Sequence, residues 1–466
     1  MALPLTQADA AHLLRRAAFG GTLTEINALV GLSRAAAVDQ LLGWTDGDTG
    51  GDMTPTARAK LDDFYSDWYV DRYVPLQQWW YTRMASDPFP LREKLTLFWH
   101  GHFCSELRKI AHFGRMYDQI QLFRKYAKGN FVQFVKDVSI QPTMLIYLDN
   151  ESSKIGRPNV NFARELMELF TLGVGNYSES DIVAMANAWT GYTVDYFPNP
   201  APAVMTFKAA WHETANKTIF GDTANYDGTG NNGVNIMDRL FDMTKPQRLI
   251  SAKYIAKKLF EFFAYEHPTQ SVIDSLATTF NATMSIEALV RAILTSDEFY
   301  SLAAHEGRLR GPVEWFVAAI RTTGVPVADA HPEWYNQSLG QELLNPPNVA
   351  GWKLNSYWIS TSTFWAKGNV VKHFGWQDPL LTHPPMPTWL PIIEQFSGPN
   401  VPPPTVTAQQ VAQAAFDAAG LVSVSATTRS AIEAYLTQLR QKSSDRWFMR
   451  AGLMQALLMS PDFQLA

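Results

Sequence analysis

The feature that most constrains this chain is the helical repeat of residues 161–172, Asn-Phe-Ala-Arg-Glu-Leu-Met-Glu-Leu-Phe-Thr-Leu. Positions i, i+3, i+4 and i+7 of a helix share one face. Here that face carries Asn161, Arg164, Glu165 and Glu168, and the opposite face is apolar. The pattern predicts an amphipathic helix. Its polar face is solvated, forms an ion-pair network or is a functional site.

The same helical periodicity recurs along most of the 466 residues, of which 46% are hydrophobic. That is enough apolar material for a large core. We therefore predict a mainly α protein, with a large helical architecture of the bundle or toroid type. Two strand-like segments, residues 192–197 and 203–207, flank a Pro-rich turn and predict a small β-hairpin insertion near residues 192–222.

The distribution of proline and glycine suggests how the chain is divided. We predict a main helical domain over residues 1–378, with the hairpin insertion at 192–233 inside it. Residues 379–406 are rich in proline and are predicted to be an irregular connection. The C-terminal helices, residues 407–466, are expected to pack on the main domain.

Charge and composition exclude several classes of protein. The net charge is −5 and the pI is about 6.1, so no global positive field favours nucleic acid. Cys104 is the single cysteine, which excludes a disulfide framework within the chain. No apolar run is long enough for a membrane span. The first residues do not resemble a signal peptide, so we expect a cytoplasmic protein as written, or a secreted one if an export leader was trimmed.

Common cofactor and nucleophile motifs are missing from the sequence. We find no Walker loop, no dinucleotide-binding glycine fingerprint, no His-Glu-x-x-His and no Gly-x-Ser-x-Gly. The sequence therefore predicts no cofactor.

Two further segments carry polar residues in an apolar setting. In Phe-Trp-His-Gly-His-Phe, His100 and His102 are two positions apart, which suits one metal ion poorly on a helix, where a spacing of four is usual. They are predicted to be hydrogen-bonded core residues or, at a helix end, metal ligands. Asp149 lies where an apolar helix runs into a loop, so it is either a turn residue or a functional carboxylate.

Three more residues are candidates for ligand binding. His212 follows the predicted hairpin. The segment Asn-Pro-Pro-Asn-Val-Ala-Gly-Trp, residues 345–352, predicts a rigid loop that presents Asn348 and Trp352. Paired amide and aromatic side chains of this kind bind sugars, but they also anchor loops.

Several of these segments together resemble a known family. Residues 13–20, 98–103, 147–150, 187–191, 345–352 and 460–463, and above all Pro-Asn-Val-Asn-Phe-Ala-Arg-Glu-Leu-Met-Glu-Leu-Phe-Thr-Leu-Gly at 158–173, resemble the bacterial family called domain of unknown function 1800. The resemblance covers roughly residues 8–465. It implies a helical protein, often exported, whose activity is unassigned.

The resemblance also sharpens the prediction for residues 161–172. A merely solvated face is not expected in the most recognisable stretch of a family, so a site or a buried ion-pair network remains. This chain departs from the family pattern at Val160, where a Glu is usual, at Gly101, where an Asn is usual, and at Tyr192, where a Trp is usual. The carboxylate replaced by Val160 cannot be essential to this protein.

From these residues we predict a carbohydrate-active enzyme, a glycoside hydrolase or a related lyase, acting on a polysaccharide or oligosaccharide. The chain offers carboxylates around one helix, many Trp and Tyr near polar loops, and no cofactor motif. Glycoside cleavage needs two carboxyl groups on opposite sides of the scissile bond. Because Glu165 and Glu168 share one helix face, one of them is predicted to be the general acid and Asp149 the base or nucleophile.

The other candidate residues are predicted to bind the glycan. Arg164 would orient a carboxylate and keep it ionised. His100 and His102 would bind substrate hydroxyls. Asn161, His212, Asn348 and Trp352 complete the predicted substrate-binding set.

Two alternatives stay open. The first is a metal-dependent hydrolase or oxidoreductase, with His100, His102 and a helix carboxylate as ligands of the metal. The second is a non-enzymatic secreted binding or assembly protein whose polar network is structural.

Overall fold

A computed structural model gives the fold and describes residues 4–45, 51–195, 204–225, 232–305, 307–375, 390–396, 406–442 and 446–465. The mainly α architecture is confirmed. Up to the insertion, the α-helices of the described chain are α1 (Gln7–Ala17), α2 (Leu23–Leu29), α3 (Arg34–Leu41), α4 (Pro55–Asp62), α5 (Val74–Ser86), α6 (Pro90–His102), α7 (Leu107–Ile110), α8 (Phe113–Lys125), α9 (Phe131–Ile140), α10 (Pro142–Tyr147), α11 (Val160–Met167) and α12 (Glu179–Ala188).

The part of the chain after the insertion is again helical. Its described α-helices are α13 (Asn232–Leu240), α14 (Pro246–Phe263), α15 (Gln270–Thr283), α16 (Ile286–Thr295), α17 (Leu302–His305), α18 (Pro312–Thr323), α19 (Val327–Ala330), α20 (Pro332–Leu339), α21 (Thr361–Gly375), α22 (Ala408–Ala418), α23 (Ala426–Lys442), α24 (Arg446–Leu458) and α25 (Pro461–Gln464). Most of the predicted Pro-rich connection at 379–406 lies outside the described residues.

The predicted hairpin is confirmed, although its turn lies outside the described residues. Strand β1 (Tyr192–Asp195) pairs antiparallel with β2 (Val204–Phe207), with Tyr192 opposite Phe207. A second antiparallel ribbon, β3 (Lys217–Ile219) with β4 (Asp222–Ala224), lies in the same insertion and was not predicted as strands.

The predicted helix over 161–172 is present, but its second half has a different geometry. Asn159 caps α11, since its side chain accepts the backbone N–H of Phe162. From Glu168 the helix continues as a π-helical turn, Glu168–Leu172, and it ends at Gly173, whose φ is +80°. Such turns insert an extra residue per turn and are frequent at functional sites.

One continuous hydrophobic core extends from Leu5 to Phe463 and includes residues of α22, α23 and α24. Helix α24 packs on α21, and the indole N–H of Trp315 donates to the carbonyl of Leu458 at 3.1 Å. Helix α6 is buried over almost its whole length. None of the described helices combines the length and the apolarity that crossing a membrane requires.

Candidate functional site

The last turn of α6 carries His100 and His102, both buried. Since they are two positions apart on a helix, their side chains leave it on roughly opposite sides. Nε2 of His100 accepts the backbone N–H of Leu344 at 3.1 Å, and its ring lies 5.2 Å from that of Trp352. Burial lowers the pKa of His100 to about 3. His100 is therefore a neutral residue that fixes the backbone of Leu344.

His102 has a different set of partners. Its Nε2 lies 3.0 Å from the carbonyl oxygen of Phe170, and its Nδ1 lies 2.8 Å from Nζ of Lys258 on α14. Burial and the charge of Lys258 hold the pKa of His102 well below its ordinary value. Neutral His102 therefore donates from Nε2 and accepts from the Lys258 ammonium at Nδ1. Burial also lowers the pKa of Lys258 to about 8.

A cavity of about 130 Å³ opens beside this contact, and we call it the Lys258 cavity. It lies between α6, α14, the segment before α18 and the segment from 341 to 358. Its aromatic wall is formed by Phe98, Phe262, Trp352 and Trp358. Its polar groups belong to His102, Lys258, Glu261, Arg308, Glu314 and Gln341. An aromatic wall with a few convergent polar groups is the usual form of a small-molecule site.

One buried polar group of the Lys258 cavity is the carboxylate of Glu314, near the start of α18. It forms an ion pair with Lys94, accepts the backbone N–H of Gly311 at 2.8 Å and lies 3.4 Å from Nη2 of Arg308. Burial opposes its ionisation, but the charges of Lys94 and Arg308 outweigh it and lower the pKa of Glu314 to about 2. Burial lowers the pKa of Lys94 to about 8. Glu314 is thus a permanent anion that holds two buried cations.

The predicted loop at 345–352 forms another wall of the cavity. Gly351 has a φ of +81°, and a Cβ placed on it would lie 2.1 Å from the carbonyl oxygen of Gly101. Only glycine lets the loop approach α6 this closely. The loop thereby sets Trp352 against both the cavity and His100. Asn348 is exposed, and its side-chain oxygen accepts the N–H of Ala350 at 2.9 Å, which is a turn-forming contact.

The polar face of α11 forms local contacts. The guanidinium of Arg164 binds both carboxylate oxygens of Glu179, at 3.0 and 2.9 Å. The hydroxyl of Tyr177 donates to Glu168. Burial, and then the charge of Glu168, raise the pKa of Glu165. Asn161 is exposed at the start of the helix. The predicted face therefore combines an exposed ion pair with a half-buried carboxylate that is held towards its neutral form.

Asp149 occupies a sharp turn, with a φ of +58°. Its carboxylate is largely exposed and pairs with Nζ of Lys109 at 2.9 Å. The same Nζ donates to the carbonyl oxygen of Tyr147 at 2.6 Å. Burial, followed by the charges of neighbouring groups that include Glu165, raises the pKa of Tyr147 to about 12. Tyr147 is therefore linked to Asp149 through Lys109 and is also affected by the charge of Glu165.

Tyr254 on α14 connects the π-helical turn with the Lys258 cavity. Its hydroxyl donates to the carbonyl of Leu169 at 2.9 Å, and its ring centroid lies 5.4 Å from Nζ of Lys258. Burial, with the charge of Glu168 as a second cause, raises the pKa of Tyr254 to about 12. The carboxylate face of α11 and the Lys258 cavity thus lie on two sides of the same tyrosine.

His212 is buried in the insertion, with Nδ1 at 2.8 Å from the carbonyl oxygen of Thr190 and its ring on Phe207. It is not among the residues that line the Lys258 cavity. Within the described ranges, no three His, Cys, Asp or Glu side chains are grouped so that they could hold a metal ion. Nε2 of His100 accepts the backbone N–H of Leu344. Nε2 of His102 contacts the carbonyl oxygen of Phe170, and its Nδ1 contacts Nζ of Lys258.

The sequence reasoning missed Lys258, Arg308, Glu314 and Trp358. Lys258 follows Lys257 in α14, and a pair of lysines in a helix is typical of a solvated surface. The segment Gly-Arg-Leu-Arg-Gly-Pro-Val-Glu at 307–314 did carry a signal, because two arginines lie just ahead of a helix that begins with proline. Glu314, three residues after Gly311, fits a simple capping position, which hides its second role.

The comparisons with known proteins complete this description. A search of curated proteins and a search of solved structures both found no match. A family model described as "Protein of unknown function (DUF1800)" matches residues 12–465, which is nearly the whole chain. The resemblance inferred from the motifs is therefore confirmed, and the protein belongs to the DUF1800 family.

Proposed function

We propose that the protein is a carbohydrate-active enzyme whose sugar-binding site is the Lys258 cavity. The observation that carries this proposal is the pairing of the aromatic wall with Lys258, Arg308 and Gln341 in one cavity. A sugar ring packs its C–H face on an indole, and its hydroxyl groups need donors and acceptors around the rim. Trp352, a predicted substrate-binding residue, supplies part of that aromatic wall.

The proposed reaction is hydrolysis of a glycosidic bond by two carboxyl groups. Glu165 suits a general acid, since burial and its like-charged neighbour raise its pKa. Asp149 is the proposed base or nucleophile, with its charge compensated by Lys109. Neither carboxyl group lines the Lys258 cavity, so a glycan bound there would have to extend past Tyr254 to reach them. For this chemistry the two carboxyl groups must also come within about 5–5.5 Å for retention, or about 6.5–9.5 Å for inversion, when substrate is bound.

Elimination is a second candidate, favoured by one observation. Lys258 lines the cavity, and its pKa of about 8 leaves part of it as a free amine near neutral pH. In a sugar acid, this amine would take the proton from the carbon that bears the carboxylate. The electron pair of that C–H bond forms a double bond to the neighbouring ring carbon, and the glycosidic C–O bond on that carbon breaks. The leaving oxygen takes a proton from solvent.

A glycan panel tests both reactions. Wild type, Glu165→Gln, Glu168→Gln and Lys258→Gln are incubated with neutral and acidic polysaccharides, and Lys253→Gln serves as the control. Lys253 lies on the same helix as Lys258 but pairs with Asp274 at 2.8 Å. New reducing ends report either reaction, and ultraviolet absorbance of an unsaturated product reports elimination alone.

The outcomes separate the alternatives. Loss of reducing ends in a glutamine variant at position 165 or 168, without unsaturated product in wild type, supports hydrolysis. Unsaturated product that disappears only in Lys258→Gln supports elimination. If folded wild-type protein cleaves no glycan of the panel, the enzyme proposal is rejected in favour of a binding or assembly protein.

A further inference from the structure

We propose that the ligand of the Lys258 cavity carries an oxyanion, a carboxylate or sulfate group on a sugar, bound between Lys258 and Arg308. This inference deepens the proposed function by naming the substrate class, and it rests on that function for the sugar. The anion itself is argued from the charge balance around the cavity.

Three buried cations surround the carboxylate of Glu314. Lys94 and Arg308 both lie within ion-pair distance of it, and all three side chains are buried. Arg16 is buried beside them, and its hydrogen-bond acceptor is the backbone carbonyl of Ala304. Among the described residues, Glu314 is the one carboxylate that forms an ion pair with any of these three cations. A single negative charge therefore faces three buried positive charges.

A second layer adds to the excess. Arg310 and Lys367 are also buried, and their acceptors are the carbonyl of Phe463 at 2.9 Å and the side-chain amide oxygen of Gln464 at 2.6 Å. Neither acceptor carries a charge. The protein as a whole has a net charge of −5, so this positive region is local and does not reflect an overall basic protein.

The buried positive charges at the cavity wall are therefore poorly compensated by negative groups. Burying a charge without a partner is expensive, and an arginine that lacks hydrogen-bond acceptors loses more. Nε of Arg16 and Nε of Arg308 have no hydrogen-bond partner among the described residues. An anion next to Arg308 would offset part of this energy, so the fold favours a negatively charged group there.

Lys258 supplies the second contact. Its ammonium has three donors, and His102 accepts one of them. Glu261 lines the same cavity and its charge favours the protonated form of Lys258, but its carboxylate contacts Lys257, 3.9 Å away, and accepts the backbone N–H of His267 at 3.2 Å. Lys258 therefore keeps donors for a ligand in the cavity that Arg308 also lines. The aromatic residues of the same cavity suit the sugar ring that would carry the anion.

Isothermal titration calorimetry tests this inference, at constant ionic strength and neutral pH. The probes are glucuronate, a sulfated glucose, inorganic sulfate and glucose. We expect glucuronate or the sulfated glucose to bind at least about tenfold more tightly than glucose, as one charge-assisted hydrogen bond provides. The two anionic sugars distinguish a carboxylate from a sulfate ligand. Inorganic sulfate shows how much of the affinity belongs to the anion alone.

Variants locate the site. Lys258→Gln and Arg308→Gln should each weaken binding of the preferred anionic sugar by about tenfold or more, whereas Lys253→Gln should leave it unchanged. Circular dichroism confirms folding. If Arg308→Gln does not fold, the partly exposed Lys258 decides the test.

Three results overturn the inference: glucose binding as tightly as the anionic sugars, no binding of any anion to folded wild type, or equal binding in Lys258→Gln. These results differ from a failure of the proposed function. Anion binding without cleavage of any glycan keeps the inference and rejects the enzyme. Cleavage restricted to neutral glycans keeps the enzyme and rejects the inference.

Discussion

Nζ of Lys258 lies 2.8 Å from Nδ1 of His102, and this contact joins the middle of α14 to the last turn of α6. The tautomer of His102 follows from it, because Nε2 must then carry the proton that Phe170 accepts. A neutral acceptor does not compensate the charge of the lysine, and the carboxylate of Glu261 compensates only part of it, because burial still lowers the pKa. Lys258 is therefore a cation at a cavity wall, and burial lowers its pKa to about 8.

Lys258 should react with amine reagents at lower pH than an ordinary lysine. With a pKa of about 8, roughly half of its side chains are neutral amines at that pH, against well under about 1% for a lysine with the usual pKa of 10.4. Reductive methylation followed by peptide mass spectrometry, as a function of pH, measures this. Lys253, which lies on the same helix and pairs with Asp274 at 2.8 Å, is the internal comparison. Equal modification of the two lysines at every pH would contradict the lowered pKa.

Binding of an anionic sugar should weaken as the pH rises through about 8, because Lys258 then loses its charge. The groups that face Lys258 are His102, Cys104, Tyr254, Glu261 and Arg308. The pKa of His102 is far below this range and burial raises that of Cys104 to about 12, so neither titrates there. In Lys258→Arg the affinity should persist and the decline should become shallower, with Lys94, whose pKa is also about 8, as a remaining group that titrates in this range. A wild-type affinity that is flat from pH 7 to 9 would contradict this expectation.

Replacing Glu314 by glutamine should destabilise the fold by about 3–5 kcal/mol, since it leaves Lys94 and Arg308 buried without their anion. Urea unfolding at neutral pH measures the free energy. Glu179→Gln is the matched control, because it removes a carboxylate from an exposed ion pair with Arg164. The control should lose far less, and equal losses in the two variants would mean that burial does not strengthen the Glu314 contacts.

Because of the Glu314 carboxylate, the free energy of unfolding should decrease in acid. The folded-state pKa of Glu314 is about 2, below the value of about 4.3 for an unfolded glutamate. Its contribution is therefore fully present above pH 5 and is lost as the pH falls towards 2. Wild type and Glu314→Gln should differ most near neutral pH and converge in acid. Parallel stability profiles over this range would place the acid sensitivity elsewhere.

Gly351→Ala should damage both stability and ligand binding. A left-handed backbone costs alanine about 1–2 kcal/mol, and the overlap with the carbonyl of Gly101 adds about 1–3 kcal/mol. Gly156 also has a positive φ, +74°, but nothing lies within 4 Å of a Cβ placed on it. Gly156→Ala therefore measures the backbone strain alone. Similar unfolding free energies for the two variants would show that the loop yields without moving Trp352.

Local patterns in the sequence predicted much of the secondary structure. Period-3.6 spacing predicted a mainly helical chain and the helix over residues 161–172. Alternation around a Pro-rich turn predicted the β1–β2 hairpin. These features depend on neighbours within a few residues, which a sequence displays directly. The sequence did not predict the π-helical turn at Glu168–Leu172, because that geometry depends on packing around the helix.

The candidate site was only partly predictable for the same reason. His102 and Trp352 were singled out by their apolar or loop settings, and both line the Lys258 cavity. Arg308 and Glu314 are separated from Lys94 by more than two hundred positions, so no spacing rule connects them. Their charges interact strongly only when α6, α14 and α18 pack together and exclude water between them. The sequence by itself determined the helices, the hairpin and the family. The tertiary structure decided which ionisable groups are buried together, because burial and Coulomb energy depend on distance in space and not along the chain.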